Sequence, residues 1–321
     1  MFDQLDMGAS SNSELTLKDA VSCLGHGLHS GRDVTLTLRP ALAGTGIVFR
    51  RIDLLASENV HDQPDELARI SVKASPANVA TTTLGTTLAN EHGVSISTVE
   101  HLLAAFAGFG LTDVMVELNG PEVPIMDGSS EPFVALIDQA GVCAVATPRR
   151  ALRIIEKISV QQGDRWAYIL PTGEDEMTLD VLVDFPDPAI GRQSVSFDVT
   201  PEIFRADVSA ARTFCNLKDV ETMREQGLAL GGSEDNAIIV NDGAVLNAGG
   251  LRFESEFAMH KALDLLGDLY LLGLPIAGHV MAFKPGHDLN VQLAQAVMDA
   301  IGTSAVELVE LGAVAASRAT A

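Results

Sequence analysis

Two apolar, helix-forming segments of this chain carry ionisable side chains, and this combination limits the folds that the chain can adopt. Residues 97–108 (STVEHLLAAFAG) contain Glu100 and His101 among apolar neighbours. Residues 260–268 (HKALDLLGD) contain His260 and Asp264, which are four positions apart and therefore share one face of a helix. A buried charge needs a partner or a metal ion. We therefore expect both segments to face one polar site inside the fold.

The two segments also share a spacing, which indicates an internal repeat. Gly108 follows His101 by seven residues, and Gly267 follows His260 by seven. Each segment leads to a short apolar strand and then to a loop that contains Pro and Gly. We interpret the chain as two halves with the same core that face each other, each giving one histidine.

The composition excludes several classes of protein. The chain has 321 residues, of which 47% are hydrophobic, so it can form about two domains with a large core. A net charge of -22 makes binding to nucleic acid or to an anionic membrane surface a poor prospect. The three cysteines include no C-x-x-C pair and fit a reducing cytoplasm. No signal peptide and no membrane span are apparent, so we expect a cytoplasmic protein.

Hydrophobic alternation predicts strands before a helix in each half. In the first half the predicted strands are residues 15–17, 34–38, 46–51, 80–88 and 113–118. In the second half they are residues 151–160, 166–171, 178–184 and 195–199, with a further strand at 279–283 after the helix that carries His260. The pattern restarts after residues 147–150, and residues 1–14 form a polar start. Strands followed by helices in each half predict an α+β fold with domains at 1–147 and 148–321. A β-α-β-like excursion is expected at about 214–253.

The ionisable residues allow more than one interpretation. Glu100 fits a capping box with Ser97 as the N-cap, or a general base beside a metal ion. Two histidines and one aspartate (His101, His260 and Asp264) suit zinc with a fourth position open to water. The same set also describes the facial triad of non-haem iron(II) oxygenases. A base beside the metal ion favours a hydrolase over an oxygenase.

Two further residues extend this group. Asp268 lies four positions after Asp264, so it adds a second carboxylate to the same helix face, which is costly unless a cation is near. His287, which we expect in a glycine-containing loop, is either the acid that protonates a leaving group or an exposed loop histidine.

Several motifs resemble those of the UDP-3-O-acyl-N-acetylglucosamine deacetylase family. Residues 96–102 (ISTVEHL) and 121–129 (PEVPIMDGS) are similar to its signature. Further matching motifs are residues 27–31 (GLHSG), 211–214 (ARTF), 231–233 (GGS), 251–253 (LRF), 260–269 (HKALDLLGDL) and 284–287 (KPGH). The match is collinear from about residue 14 to 300, and the ordered set is highly specific. The family carries out the committed step of lipid A synthesis in Gram-negative bacteria.

The resemblance implies a zinc-dependent amidase that acts on a UDP-sugar carrying an acyl chain. It implies two similar domains that form a β-α-α-β sandwich with an insert in each, and the second insert, at about 214–253, would form an apolar passage for the acyl chain. The residue roles that it implies are metal ligands His101, His260 and Asp264, base Glu100, acid His287, supporting catalytic residues Lys261, Thr213 and Asp268, and substrate contacts Phe214 and His29.

Other functions stay open at this point. The chain could be an inactive relative that binds a nucleotide sugar or an acyl lipid, or a metal amidase for another substrate. Iron(II) is the alternative to zinc. We expect a monomer that binds no nucleic acid and makes at most peripheral contact with a membrane.

Overall fold

The structure is a computed structural model, and it describes residues 13–55 and 64–311. The polar start predicted at residues 1–14 therefore lies almost entirely outside the described residues. No helix within these two ranges is long and apolar enough to cross a membrane.

The first half of the chain forms two sheets. Its strands are β1 (Ser13–Leu17), β2 (Val21–His26), β3 (Asp33–Pro40), β4 (Ile47–Arg51), β5 (Ser71–Lys73), β6 (Val79–Thr81), β7 (Thr87–Ala89), β8 (Ser95–Ile96), β9 (Leu111–Leu118) and β10 (Val142–Pro148). β1–β5, β9 and β10 form a seven-stranded sheet, and β6–β8 form a small one. In β3, Val34, Leu36 and Leu38 are fully buried while the residues between them are not, which is the two-residue period of a strand with one face on the core.

The second half repeats this plan. Its strands are β11 (Arg150–Ile154), β12 (Ile158–Gln162), β13 (Arg165–Leu170), β14 (Met177–Asp184), β15 (Arg192–Asp198), β16 (Phe214–Asn216), β17 (Ile238–Asn241), β18 (Ala244–Val245), β19 (Ile276–Phe283) and β20 (Val306–Glu310). β11–β15, β19 and β20 form the second seven-stranded sheet, and β16–β18 form a small one.

The centres of the two large sheets have the same pairing. β9 pairs with β1 and β4 in parallel and with β3 in antiparallel orientation. β19 pairs with β11 and β14 in parallel and with β13 in antiparallel orientation. These matched neighbours agree with the internal repeat that the sequence indicates.

The helices pack on the sheets and on one another. The α-helices are α1 (Pro64–Arg69), α2 (Glu100–Phe109), α3 (Glu131–Ala140), α4 (Pro201–Ile203), α5 (Leu217–Glu225), α6 (Glu256–Leu269) and α7 (His287–Ala300). A π-helical turn, Phe204–Val208, follows α4, and short 3-10 helices occur at Ile52–Leu54, Pro76–Asn78 and Tyr270–Leu272. α2 packs on β9 and on α6, and α6 packs on β14 and β15. The predicted α+β class is therefore confirmed.

One local prediction of secondary structure is confirmed, and two are wrong. The excursion at 214–253 has the expected β-α-β order, because β16 and β17 are parallel and α5 connects them. The single strand predicted at 80–88 is wrong, since Leu84 and Gly85 have positive φ angles, +58° and +151°, and form a turn between β6 and β7. An extended strand cannot continue through such angles. His287 does not lie in a loop, because it is the first residue of α7.

The glycines of the repeat stand where the helices approach other elements. A Cβ atom at Gly267 of α6 would lie 2.1 Å from the carbonyl oxygen of Glu100 in α2. A Cβ atom at Gly108 of α2 would lie 2.3 Å from the ring of Phe204. Glycine at position 267 thus lets the backbones of α2 and α6 touch.

Substituting Gly267 tests this contact. We expect Gly267→Ala to lower the free energy of unfolding by about 1–3 kcal/mol, because the added methyl group forces the two helices apart. The higher helix propensity of alanine offsets at most about 1 kcal/mol of this loss. Urea unfolding would measure the change. Gly249→Ala is the matched control, since no atom lies within 4 Å of its Cβ position; equal stability of the two variants would contradict the tight contact.

Candidate metal centre and acid–base residues

α2 and α6 bring two histidines and an aspartate together in the buried space between the sheets. His101 is the second residue of α2, and His260 and Asp264 lie one turn apart on α6. One potential ligand atom from each of the three residues lies within 4.8 Å of the others. Oδ1 of Asp264 lies 3.6 Å from Nε2 of His101 and 3.3 Å from Nε2 of His260. All three side chains are at most 4% exposed.

The hydrogen bonds around this group leave its inner atoms free for a cation. Nδ1 of His260 lies 3.0 Å from the carbonyl oxygen of Ala211, so Nδ1 carries the proton and Nε2 keeps a lone pair. Burial lowers the pKa of His260 to about 3, so the imidazole is neutral, as a metal ligand must be. Oδ1 of Asp264 is buried and has no hydrogen-bond partner among the described residues. A metal ion fits these donors.

The carboxylate of Asp264 is held in its ionised form. Its other oxygen, Oδ2, accepts a hydrogen bond from Nζ of Lys261 over 2.7 Å. Burial by itself would raise the pKa of Asp264, but its surroundings, which include the ammonium of Lys261, outweigh burial and hold the pKa well below its usual range. An ionised oxygen therefore points between the two imidazoles.

Glu100 begins α2, and it does not occupy the position that a capping box requires. The N-cap of α2 is Val99 and has no side-chain capping bond, and the Ser97 hydroxyl donates instead to the carbonyl oxygen of Pro121. Oε2 of Glu100 accepts the backbone N–H of Thr86 over 2.9 Å. Burial raises the pKa of Glu100, and the nearby imidazole of His287 reduces that rise. The capping interpretation of Glu100 is thus wrong.

His287 and Asp268 form a second pair beside Glu100, in which Asp268 is fully buried and the side chain of His287 is 14% exposed. Nδ1 of His287 donates to Oδ2 of Asp268 over 2.8 Å, and Nε2 of His287 lies 3.7 Å from Oε1 of Glu100. Nδ2 of Asn290 also donates to Oδ2 of Asp268. Burial by itself lowers the pKa of His287, but the charges of Asp268 and Glu100 more than offset it and raise this pKa to about 10. The imidazole is therefore positively charged at neutral pH.

The remaining predicted site residues lie around this group at different distances. The rings of Phe214 and His260 meet edge-on, with 6.2 Å between their centroids. Nζ of Lys261 lies 5.5 Å from the centroid of the Phe214 ring. The backbone of Thr213 is hydrogen-bonded to Gly128 and Ile238, which fixes the segment next to Phe214.

His29 is not part of this group. Its ring nitrogens contact the carbonyl oxygen of Leu84 and the backbone nitrogen of Ala229. His29 therefore links the turn between β6 and β7 to the segment after α5. The turn belongs to the first half of the chain and the segment to the second. Within the described residues it shares no hydrogen bond or ion pair with the metal-ligating group.

Sequence reasoning missed three contributors to the site. The carbonyl of Ala211 orients His260, Asn290 donates to Asp268, and Thr86 donates to both Asp268 and Glu100. A backbone carbonyl carries no side-chain signal. Thr86 lies in a threonine-rich segment whose composition predicts a strand and gives no indication of a site residue.

Known proteins resemble the chain over most of its length. The model of the UDP-3-O-acyl N-acetylglycosamine deacetylase family matches residues 14–299. A UDP-3-O-acyl-N-acetylglucosamine deacetylase of Vibrio parahaemolyticus is 48% identical over 285 residues, which cover 88% of this chain and 89% of the relative. The deacetylases of Vibrio campbellii and Idiomarina loihiensis are 47% and 46% identical over the same shares.

Metal content tests the candidate centre directly. We expect His260→Ala and Asp264→Ala to retain less than about a tenth of the metal that the unaltered protein retains, since each removes one of three ligands. Mass spectrometry of the metals after dialysis against a weak chelator would measure this. His279→Ala is the control, because that imidazole pairs with Asp180 on the second sheet. Full metal content in the ligand variants would refute the centre.

Proposed function

The chain belongs to the UDP-3-O-acyl N-acetylglycosamine deacetylase family, and we propose that it hydrolyses the N-acetyl group of UDP-3-O-acyl-N-acetylglucosamine. The products are UDP-3-O-acyl-glucosamine and acetate, and the reaction is the committed step of lipid A synthesis in Gram-negative bacteria. The observation that carries this proposal is the buried group of His101, His260 and Asp264 with Glu100 and His287 beside it.

The metal ion that we propose is zinc, with iron(II) as the second candidate, and its ligands would be His101, His260 and Asp264. Two imidazoles and one carboxylate suit either ion. When bound, the ion would supply Lewis acidity towards the amide carbonyl and would lower the pKa of a water molecule towards about 7.

Glu100 is the proposed general base. Its carboxylate is buried, and burial raises its pKa, which makes it a better proton acceptor than an exposed glutamate. It takes one proton from the attacking water as the water oxygen bonds to the acetyl carbon. Because Oε2 is held by the Thr86 N–H, Oε1 is the oxygen available for this proton.

His287 is the proposed general acid, and Asp268 orients it. The hydrogen bond from Nδ1 to Asp268 leaves the N–H at Nε2 directed away from Asp268. Nε2 gives its proton to the amide nitrogen as the carbon–nitrogen bond breaks, so the amine leaves in neutral form. The proton that Glu100 gains equals the one that His287 loses. The second proton of the water stays on the acetic acid, which releases it to solvent to become acetate.

Three further residues would assist binding and charge stabilisation. The ammonium of Lys261 adds positive charge to an otherwise acidic protein, and the hydroxyl of Thr213 would donate to the developing oxyanion, an effect worth about 3–4 kcal/mol for one donor. Phe214 would contact the substrate.

We propose that the acyl chain enters an apolar cluster that the second insert, at about 214–253, forms with residues outside it. Its buried members are Ile190, Ile238, Val240 and Phe257, with Phe185 and Phe214 packed against them. His29 would lie near the phosphates of the nucleotide. The division into domains at 1–147 and 148–321, the cytoplasmic location and the monomeric state stay predictions.

The deciding experiment is mass spectrometry of UDP-3-O-acyl-N-acetylglucosamine incubated with the purified protein. Loss of one acetyl group, sensitive to chelators and restored by zinc or iron(II), is the expected result. Binding of the substrate without acetyl loss would favour the inactive relative. Turnover of other acetamides alone would favour a different metal amidase.

Glu100→Gln separates catalysis from metal binding. We expect metal content to stay at the level of the unaltered protein while kcat falls by roughly 100-fold or more, because an amide cannot accept the proton. Steady-state kinetics and metal analysis on the same sample would check both. Full activity would remove Glu100 from the mechanism, and loss of metal would make it a ligand.

The pH dependence of kcat tests the role of His287. Its pKa is raised to about 10, so the reactive imidazolium persists through neutral pH and is lost as the pH rises through that value. Asp268→Asn removes the main charge that raises the pKa, so the alkaline limb of the profile should move to lower pH, by roughly 1–3 units. Asp299→Asn, at the exposed end of α7, is the control and should not move it. An unmoved limb in Asp268→Asn would contradict the assignment.

A further inference from the structure

We propose that Thr86 is a positioning residue that couples the base and the acid, a role that rests on the function proposed above. Thr86 is fully buried, and its hydroxyl donates to Oδ1 of Asp268 over 2.6 Å. Its backbone N–H donates to Oε2 of Glu100 over 2.9 Å. Thr86, a residue of the first half, thus binds the carboxylate of the proposed base, Glu100. It also binds the carboxylate of Asp268, which orients the proposed acid, His287, in the second half.

The hydroxyl of Thr86 completes the set of donors around Asp268. Oδ2 of Asp268 accepts from His287 and Asn290, and Oδ1 accepts from Thr86 alone among the described residues. With both oxygens bonded, the carboxylate cannot rotate without breaking a hydrogen bond. The direction in which His287 presents Nε2 therefore depends on Thr86, although the two side chains make no direct bond.

The backbone conformation before Thr86 supports this role. Leu84 and Gly85 have φ angles of +58° and +151°, and the first of these is an unfavourable region for a leucine. The carbonyl oxygen of Thr86 accepts the N–H of Val99 over 3.3 Å, which fixes the turn to the start of α2. A Cβ atom at Gly85 would lie 3.0 Å from Oε1 of Glu100. Strain of this kind persists where the surroundings impose it, and it gathers at functional sites.

Catalysis needs both groups to face one reacting amide. Glu100 must reach the attacking water while His287 reaches the leaving nitrogen, and the two lie only 3.7 Å apart at Oε1 and Nε2. A displacement of about 1 Å can cost roughly 100-fold in rate. By holding one carboxylate with its N–H and the other with its hydroxyl, Thr86 fixes the separation of the two groups.

Thr86→Val tests the proposal because it keeps the N–H and the shape but removes the hydroxyl. We expect kcat to fall by roughly 10–100-fold, as for loss of other supporting hydrogen bonds, with KM and metal content unchanged. Thr86→Ser should restore kcat, since it keeps the hydroxyl. Thr83→Val, at an exposed position of the same turn, should match the unaltered protein. Should valine not fit, Thr86→Ala, which also lacks the hydroxyl, gives the same comparison.

A double-mutant cycle with His287→Ala separates positioning from general stability. If Thr86 acts through the acid, Thr86→Val should change kcat little when His287 is already alanine. An equal loss in both backgrounds would overturn the proposal, as would normal kcat in Thr86→Val or a serine variant as slow as the valine variant. Failure of the proposed function itself would show as no deacetylation by the unaltered protein.

Discussion

The direct contact between α2 and α6 is the constraint on which the whole site depends. Gly267 provides no side chain at the point of contact, so the backbone carbonyl of Glu100 can approach it. Because the helices touch there, Nε2 of His101 lies 3.6 Å from Oδ1 of Asp264, although the two residues come from different halves of the chain. α2 packs on β9 of the first large sheet, α6 packs on β14 and β15 of the second, and the ligand side chains of both helices are buried. The geometry of the metal-ligating group is therefore a property of the interface between the halves.

Three carboxylates are buried close together beside that contact, and each is compensated in a different way. Asp264 has an ammonium on one oxygen and two imidazoles near the other, and its pKa lies well below the usual range. Asp268 accepts three hydrogen bonds. Glu100 accepts one N–H, and burial raises its pKa. Environments that separate the proton affinities of neighbouring groups also separate their tasks. The strongly ionised carboxylate suits a cation, and the carboxylate with the raised pKa suits a proton.

Local periodicity predicted much of the fold, and distant contacts explain where prediction failed. The alternation in β3 and the apolar pattern of α2 are signals within a few residues. The capping box failed because the hydroxyl of Ser97 bonds to Pro121, a partner that a local motif cannot reveal. The sequence motifs predicted the metal ligands and His287 as site residues, but they did not predict Thr86. Its bond to Asp268 joins residues 182 positions apart, so nothing in its own neighbourhood marks it as part of the site.

The repeat is symmetric in its backbone but not in its chemistry. When the two histidines are aligned, Asp264 corresponds to Ala105 and Asp268 corresponds to Phe109. The first half thus has an apolar residue at both positions where α6 has an aspartate. Two copies of α6 packed together would bring four aspartates into one buried space, and like charges at such distances strongly oppose ionisation. Because only α6 carries the two aspartates, a single cation can balance the centre, and the first half contributes Glu100, His101 and Thr86 instead. Neither half holds the complete set, so the chemistry arises only where the two halves meet.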